Sequence, residues 1–448
     1  MFIHHLRIAF RNLRKYKSQT LIGVLGLTTA CVVFAIGCHF ISIYLSKNTS
    51  FPNHERMYDI KTRSYQSIRG DMKQTLGEWS GVEKYTAFRR NPLFYGHLLT
   101  EGNESDRLVK LRLLEADTGF WDFFSLKSLT GNVQSILNTP NSIVLYEAAA
   151  KKIGVIDSLQ GRTILINDIA HTITGILKNP PVNSTYFRDD GLVFNQENGY
   201  FRKNPDMWNP MTGASVIVML TKGISPEIFQ KTLDSYPFAF DAGSNSGYKE
   251  QVYIASISEI KQEEKLMLTI LFVVVLLVLF VALFNIISFQ SAQFYNRLKE
   301  CAVRKVNGSG KGPLLLSFYM EIFILFVLSF MLGLLLIDFL KLVIQQPGFA
   351  ELFQSDMVSG LGKHLFFTVI FGLTITFLFC LVPVQIISRQ SVRVIFMGLS
   401  EKISKQRGRK IMLFVQMLVL LVFLSSATIV LLQVKKVKEN IWHTLTPD

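Results

Sequence analysis

The chain has 448 residues, enough for more than one domain, with 49% hydrophobic and only 18% charged residues and a mean hydropathy of +0.30. The apolar excess lies in long runs, which excludes a single water-soluble globule and points to a multi-span membrane protein. The formal charge of +14 sits largely beside those runs, with no zinc-finger spacing, basic helical array or aromatic platform, so nucleic acid is excluded as a partner.

Residues 1–19 are read as a basic, amphipathic N-terminal helix at the cytoplasmic face, containing Leu6-Arg7-Ile8-Ala9-Phe10-Arg11-Asn12-Leu13. Residues 20–45, between Lys17 and Lys47, form the first predicted transmembrane helix. A cleaved signal is disfavoured, because the run is longer than a signal core and no small-residue cleavage site follows it. The stretch ending at Cys38 loosely resembles a lipoprotein box but carries Ala35 three positions earlier. Cys31 and Cys38, a helical seven apart, read as apolar packing residues.

Residues 46–265 are the large hydrophilic segment, a mixed α+β extracytoplasmic domain between spans one and two. Arg107 to Glu115, Ser142 to Leu145, Arg162 to Ile166, His171 to Leu177, Ser215 to Leu220 and Gln251 to Ile257 read as strands. Glu147 to Ile153 and Pro226 to Leu233 read as short helices, and Phe120 to Phe124 as a buried helical turn. His54, His97 and His171 are scattered, and there is no His-Glu-x-x-His pattern or nucleophile elbow. Asp189-Asp190 beside Arg188 reads as a solvated turn, since nothing places a partner carboxylate for acid–base work. No cysteine falls in this segment, so neither a disulfide framework nor a metal cluster is expected there.

Further spans are predicted at residues 266–290, 314–337, 365–387 and 411–434, separated by a basic loop (291–313), a short external loop (338–364) and a basic linker (388–410). Lys and Arg crowd the flank before span one, the 291–313 loop and the 388–410 linker, which places all three in the cytoplasm. Lys435, Lys436 and Lys438, in the tail 435–448, fall on the opposite side and make span five the weakest of the five. Gly310-Lys311-Gly312 imitates a phosphate-binding loop, but Lys305 stands at its first Gly position and Gly312 at its Ser/Thr position. The chain is therefore read as no enzyme by itself, with no cofactor.

The loop runs Arg297-Leu298-Lys299-Glu300-Cys301-Ala302-Val303-Arg304-Lys305-Val306-Asn307-Gly308 and leads into a span carrying Glu321. This closely resembles the signature of FtsX-like permeases of MacB-type ABC transporters. The hydrophilic segment is similar to that family's periplasmic core domain through Ala116-Asp117 to Phe124, Leu129-Thr130-Gly131, Asn141 to Leu145, Ala150 to Gly154, Gly161-Arg162-Thr163 and Thr172 to Leu177. The resemblance covers nearly the whole chain and extends to the long permeases typical of Bacteroidetes, which repeat the unit to reach eight spans and two external domains. Here the chain stops soon after span five. The chain is therefore read as either a shortened permease or a truncated open reading frame, and the resemblance implies a dimer or pairing with a second permease half.

What it implies further is a permease subunit in the bacterial inner membrane, surrounded by lipid and driven by a separate cytoplasmic ABC ATPase. Mechanotransmission would then couple that ATPase to export or extraction of an envelope substrate. The alternative is a non-transporting sensor or regulator of an envelope process. Arg297, Lys299, Glu300, Arg304, Lys305 and Gly308 are the expected ATPase-coupling residues. A short amphipathic segment of alternating charge at a membrane face also suits docking into a soluble partner's groove. Glu321 is costly at a helix centre, about 3 kcal/mol, and reads either as the partner of Arg304 or Lys305 or as part of a transport pathway. Asn285 in span two is a candidate for an interhelical hydrogen bond.

Overall fold

The computed structural model describes residues 2–62, 81–90, 94–98, 107–139, 141–154, 159–166, 169–187, 189–194, 215–235, 252–296, 311–344 and 360–389. It also describes residues 303, 306, 414, 417, 418, 421, 425, 428 and 432. The chain divides into two compact units: residues 40–267 build one, and the N-terminal 39 residues with most of the chain from Leu268 onward build the other.

The helical unit opens with α1 (Phe2–Lys15), followed after Tyr16 by α2 (Lys17–Leu45). Three long helices come later in the chain: α7 (Gln262–Asn296), α8 (Lys311–Ile344) and α9 (Leu361–Arg389). Of these, α2, α7, α8 and α9 each hold a stretch long and apolar enough to cross a membrane. Each extends beyond the run predicted for it, because polar residues outside the hydrocarbon continue the backbone hydrogen bonding. The expected fifth span falls mostly outside the described residues; seven of its positions, from Phe414 to Leu432, are helical and exposed.

These helices share a core of Leu27, Cys31, Phe34, Leu279, Leu283, Phe326 and Leu365. Cys31 is therefore packing material, as its spacing suggested. Polar contacts pin the pair α2 and α8: Thr28 Oγ1 donates to the Ser329 carbonyl (3.4 Å), and Ser329 Oγ donates to the Val24 carbonyl (3.3 Å). With lipid as the alternative environment, such hydroxyl bonds and close packing hold helices together.

The soluble unit is built on one mixed sheet. Its strands, in chain order, are β1 (Met57–Thr62), β2 (Val82–Arg90), β3 (Phe94–Leu98), β4 (Arg107–Leu111), β5 (Leu113–Ala116) and β6 (Ser128–Thr130). They continue with β7 (Ser142–Tyr146), β8 (Thr163–Ile166), β9 (Ile169–Leu177), β10 (Gly191–Phe194), β11 (Ser215–Leu220) and β12 (Val252–Ser256). The order across the sheet is β12-β1-β11-β2-β5-β10-β7-β9-β8-β3-β4, with β6 joined to β9. The pairs β5–β10 and β7–β9 are parallel. Four short helices pack on it: α3 (Gly119–Phe124), α4 (Val133–Asn138), α5 (Glu147–Ile153) and α6 (Pro226–Ser235).

Side chains alternate across a strand, so a central strand serves two cores. In β7, Val144 and Tyr146 enter a core with Leu114, Leu192 and Phe194, whereas Ile143 and Leu145 enter another with Leu113, Ile173 and Ile153. The first core receives the aromatic turn α3, whose Phe120, Trp121, Phe123 and Phe124 are all buried and meet Phe51 and Phe187. That turn is structural, as predicted. A third core under α6 takes Val216, Val218 and Leu220 from β11 against Phe229 and Leu233.

Two local expectations are corrected. The single strand expected from Arg107 to Glu115 is two, because Arg112 changes partner: its amide donates to Asp190 Oδ2 (2.9 Å) and its carbonyl accepts from the Asp190 amide (2.6 Å). By the same contacts Asp190 is a strand-edge clamp, not a freely solvated turn residue.

Asp59, in β1, is 8% exposed, and burial raises its carboxyl from 3.8 to about 6, with Lys61 opposing the rise. A folded-state value above the unfolded one means the unfolded chain binds fewer protons between about pH 4 and 6, so stability falls as pH rises through that window. Above it the electrostatic penalty reaches roughly 3 kcal/mol. Asp59→Asn is expected to stabilise the protein by roughly 1–2 kcal/mol at pH 8, since the amide still leaves an unmatched polar group, and by much less at pH 4. Thermal unfolding of the full-length protein at the two pH values checks this; equal shifts at both would show that shape, not charge, is responsible.

Candidate functional site

The expected coupling residues Arg297, Lys299, Glu300, Arg304, Lys305 and Gly308 all lie outside the described residues. Two of their neighbours are described: Val303 and Val306 are helical and exposed, three positions apart and so on one face.

Glu321 lies in α8 and is fully buried. Its Oε1 accepts a hydrogen bond of 2.7 Å from Asn12 Nδ2, across 309 positions of sequence. One partner is thus the side-chain amide of Asn12 in α1, while Arg304 and Lys305, the expected ones, are outside the described residues. The contact exists because α1 presents its inner face to the bundle. Ala9 and Leu13 are buried, Leu13 against Val24 and Leu325, and Asn12 lies beside them. Leu6 and Phe10 are exposed among Arg7, Arg11 and Arg14, the pattern of a helix lying at a membrane interface. Thr20 Oγ1 donates to the Leu13 carbonyl (3.0 Å) and satisfies one of the orphan acceptors at the end of α1.

Asn285 forms no hydrogen bond with the described residues. It is exposed and lines an apolar groove of about 710 Å³ between α2 and α7. Gly23 and Gly26 open the α2 wall of that groove: a Cβ on either would meet nothing within 4 Å. Farther out the same two helices close together, and a Cβ on Gly37 would lie 2.6 Å from Val275. Gln290, near the inner end of α7, is fully buried with neither amide atom hydrogen-bonded among the described residues. Sequence reading did not single out Asn12 or Gln290, since an amide beside an apolar run carries no pattern of its own.

Residues 21–236 match the family model of the MacB-like periplasmic core domain, and residues 272–392 match that of the FtsX-like permease C-terminal region. Among solved structures, a domain of a permease protein from Porphyromonas gingivalis is 20% identical with a TM-score of 0.39, covering 49% of this chain and 99% of that one. The periplasmic region of MacB from Actinobacillus actinomycetemcomitans is 15% identical with a TM-score of 0.33, covering 47% and 92%. The extracellular domain of the noncanonic ABC-type transporter YknZ from Gram-positive bacteria is 14% identical with a TM-score of 0.31, covering 44% and 99%. No curated protein matches the chain. The two family models take up consecutive stretches that hold the four apolar helices and most of the mixed sheet, and on that ground the chain is a membrane protein of the FtsX-like permease family with a MacB-like periplasmic core domain.

Proposed function

We propose that the chain is the permease subunit of an ABC transporter of the mechanotransmission type in the bacterial inner membrane. A separate cytoplasmic ATPase hydrolyses ATP and displaces the 297–308 loop. The helices carry that displacement to the periplasmic domain, which exports or extracts an envelope substrate. The observation that carries this reading is the FtsX-like match across residues 272–392, which contains Glu300, the paired Arg304-Lys305 and Gly308 in one basic loop. Exposed Val303 and Val306 supply an apolar face on that loop for a groove to receive.

Reversing the charge at Glu300 tests the docking step. Glu300→Arg is expected to lower co-purification with the ATPase by at least about tenfold, the scale of a lost charge-assisted contact. A complex that persists with normal ATPase stimulation would overturn the docking role.

A further inference from the structure

The outer ends of α2 and α7 belong to the soluble unit and are tied together there. Tyr44 OH donates to Glu264 Oε1 (3.1 Å), Lys47 Nζ lies 3.8 Å from the same atom, and the Lys261 amide donates to Glu264 Oε2 (3.0 Å). Directly beside this knot is a polar pocket of about 150 Å³ whose lining includes Lys47, Asp59, Lys61, Tyr186, Glu259 and Lys261. Asp59 is its most buried carboxylate. Oδ2 faces Lys61 Nζ at 3.3 Å, while Oδ1 has no hydrogen-bond partner among the described residues.

The pocket's depth relative to a bilayer follows from its neighbours. Tyr44, Leu45, Leu266 and Met267 are exposed apolar residues at the two helix ends, and they mark where lipid contact begins. Lys261 immediately precedes α7 and stands five positions before Leu266, about 7–8 Å at a helical rise. Lys47 stands two positions beyond Leu45. A headgroup layer is about 5–8 Å deep on each side of the hydrocarbon. The pocket therefore opens at headgroup level.

Its charges are mixed. Three ammonium groups and two carboxylates line one small volume, so neither a simple anion nor a simple cation is matched. A zwitterion is: phosphate oxygens accept from the lysines, and a primary ammonium donates to the carboxylates. We propose that this pocket binds a phosphoethanolamine group, its phosphate held by Lys47 and Lys261 and its ammonium by Asp59 and Glu259. A trimethylated ammonium has no N–H to donate and is excluded from the carboxylate end.

The test uses the full-length protein in detergent micelles. Phosphatidylethanolamine, its N,N-dimethyl derivative, phosphatidylcholine and phosphatidylglycerol with identical acyl chains are titrated, and bound lipid is counted by native mass spectrometry. Phosphatidylethanolamine is expected to be retained roughly tenfold more strongly than phosphatidylcholine, the scale of a charge-assisted hydrogen bond, with the dimethyl form between them. Phosphatidylglycerol is expected at the phosphatidylcholine level. Asp59→Asn and Lys261→Ala should each abolish the preference, whereas Glu147→Gln, remote from the pocket in sequence and fold, should not. Soluble phosphoethanolamine should compete with the lipid. If it binds with the same dependence on Asp59 while no lipid is retained, the chemistry stands and the source is a free ligand. Equal retention of all four lipids, a preference for phosphatidylglycerol, or an undiminished preference in Asp59→Asn would each overturn the proposal. The methylation series needs no variant, so a misfolded mutant leaves the test intact.

Discussion

Gly131→Ala is expected to destabilise the periplasmic domain by about 4 kcal/mol, combining backbone strain with a clash that cannot relax. Gly131 follows β6 with φ +87°, and an added Cβ would lie 2.5 Å from the Thr174 carbonyl oxygen and 3.0 Å from Gly175 Cα. The obstacle is backbone, not the tip of a side chain. Gly175 answers from the other side, where a Cβ would lie 2.8 Å from the Thr130 carbonyl oxygen and 2.7 Å from Ile136 Cδ1. The two glycines let β6 lie against β9 and seat the buried Ile136 of α4 above them. Gly161 separates the two causes: its φ is +84° but nothing lies within 4 Å of an added Cβ. Gly161→Ala should therefore cost only about 1 kcal/mol. Melting curves of the full-length protein decide the matter. A Gly131→Ala melting point within about 1 °C of wild type would show that the two strands separate freely there.

Asn12→Leu is expected to cost about 3 kcal/mol in the helical unit, because it removes a donor from a fully buried carboxylate while keeping the volume. The cycle with Glu321→Gln makes the claim specific. In the Glu321→Gln background the same Asn12→Leu change should cost about 1 kcal/mol, since a neutral amide is cheaper to leave underpaired. Hydrogen exchange over α1 supplies the local readout, with faster exchange from residue 6 to residue 14 in Asn12→Leu. Identical losses in both backgrounds would remove Glu321 from the explanation and leave only packing.

Much of the architecture was legible because it rests on composition. A stretch from Leu266 to Phe289 with no charge has one stable solution in a membrane, and the strand from Ser215 to Leu220 shows its β-branched run openly. β1 and β2 were not legible for local reasons. Met57–Thr62 carries Asp59 at a buried position, and Val82–Arg90 mixes four charged residues into a strand whose Ala87 and Phe88 are buried. β10 has four residues and depends on β5 and β7 for its existence. At the helical site, the cost of Glu321 was readable but its donor was not. Asn12 becomes a partner only once α1 folds onto α8, and no spacing rule links positions 309 apart. The role expected of the loop from Arg297 to Gly308 rests on its resemblance to a family signature, which spacing and charge alone do not supply, and those residues lie outside the described ones apart from Val303 and Val306.

Asn48 shows how firmly the base of the periplasmic domain is closed. It is fully buried with φ +58°, and its side chain donates to the Ile257 carbonyl (2.7 Å) and to Thr185 Oγ1 (2.9 Å) and accepts from the Thr185 amide (2.9 Å). The strand that follows α2 and the strand that precedes α7 are also neighbours, antiparallel from Tyr58↔Ser256 to Thr62↔Val252. Sliding one helix end along its axis past the other would load that ladder in shear, with all its hydrogen bonds strained at once. Motion of the two ends in common leaves the ladder unstrained. The base therefore acts as a shear-resistant clasp: within the soluble unit it resists displacement of the two strands, and of the helix ends joined to them, past one another, and leaves them free to move together.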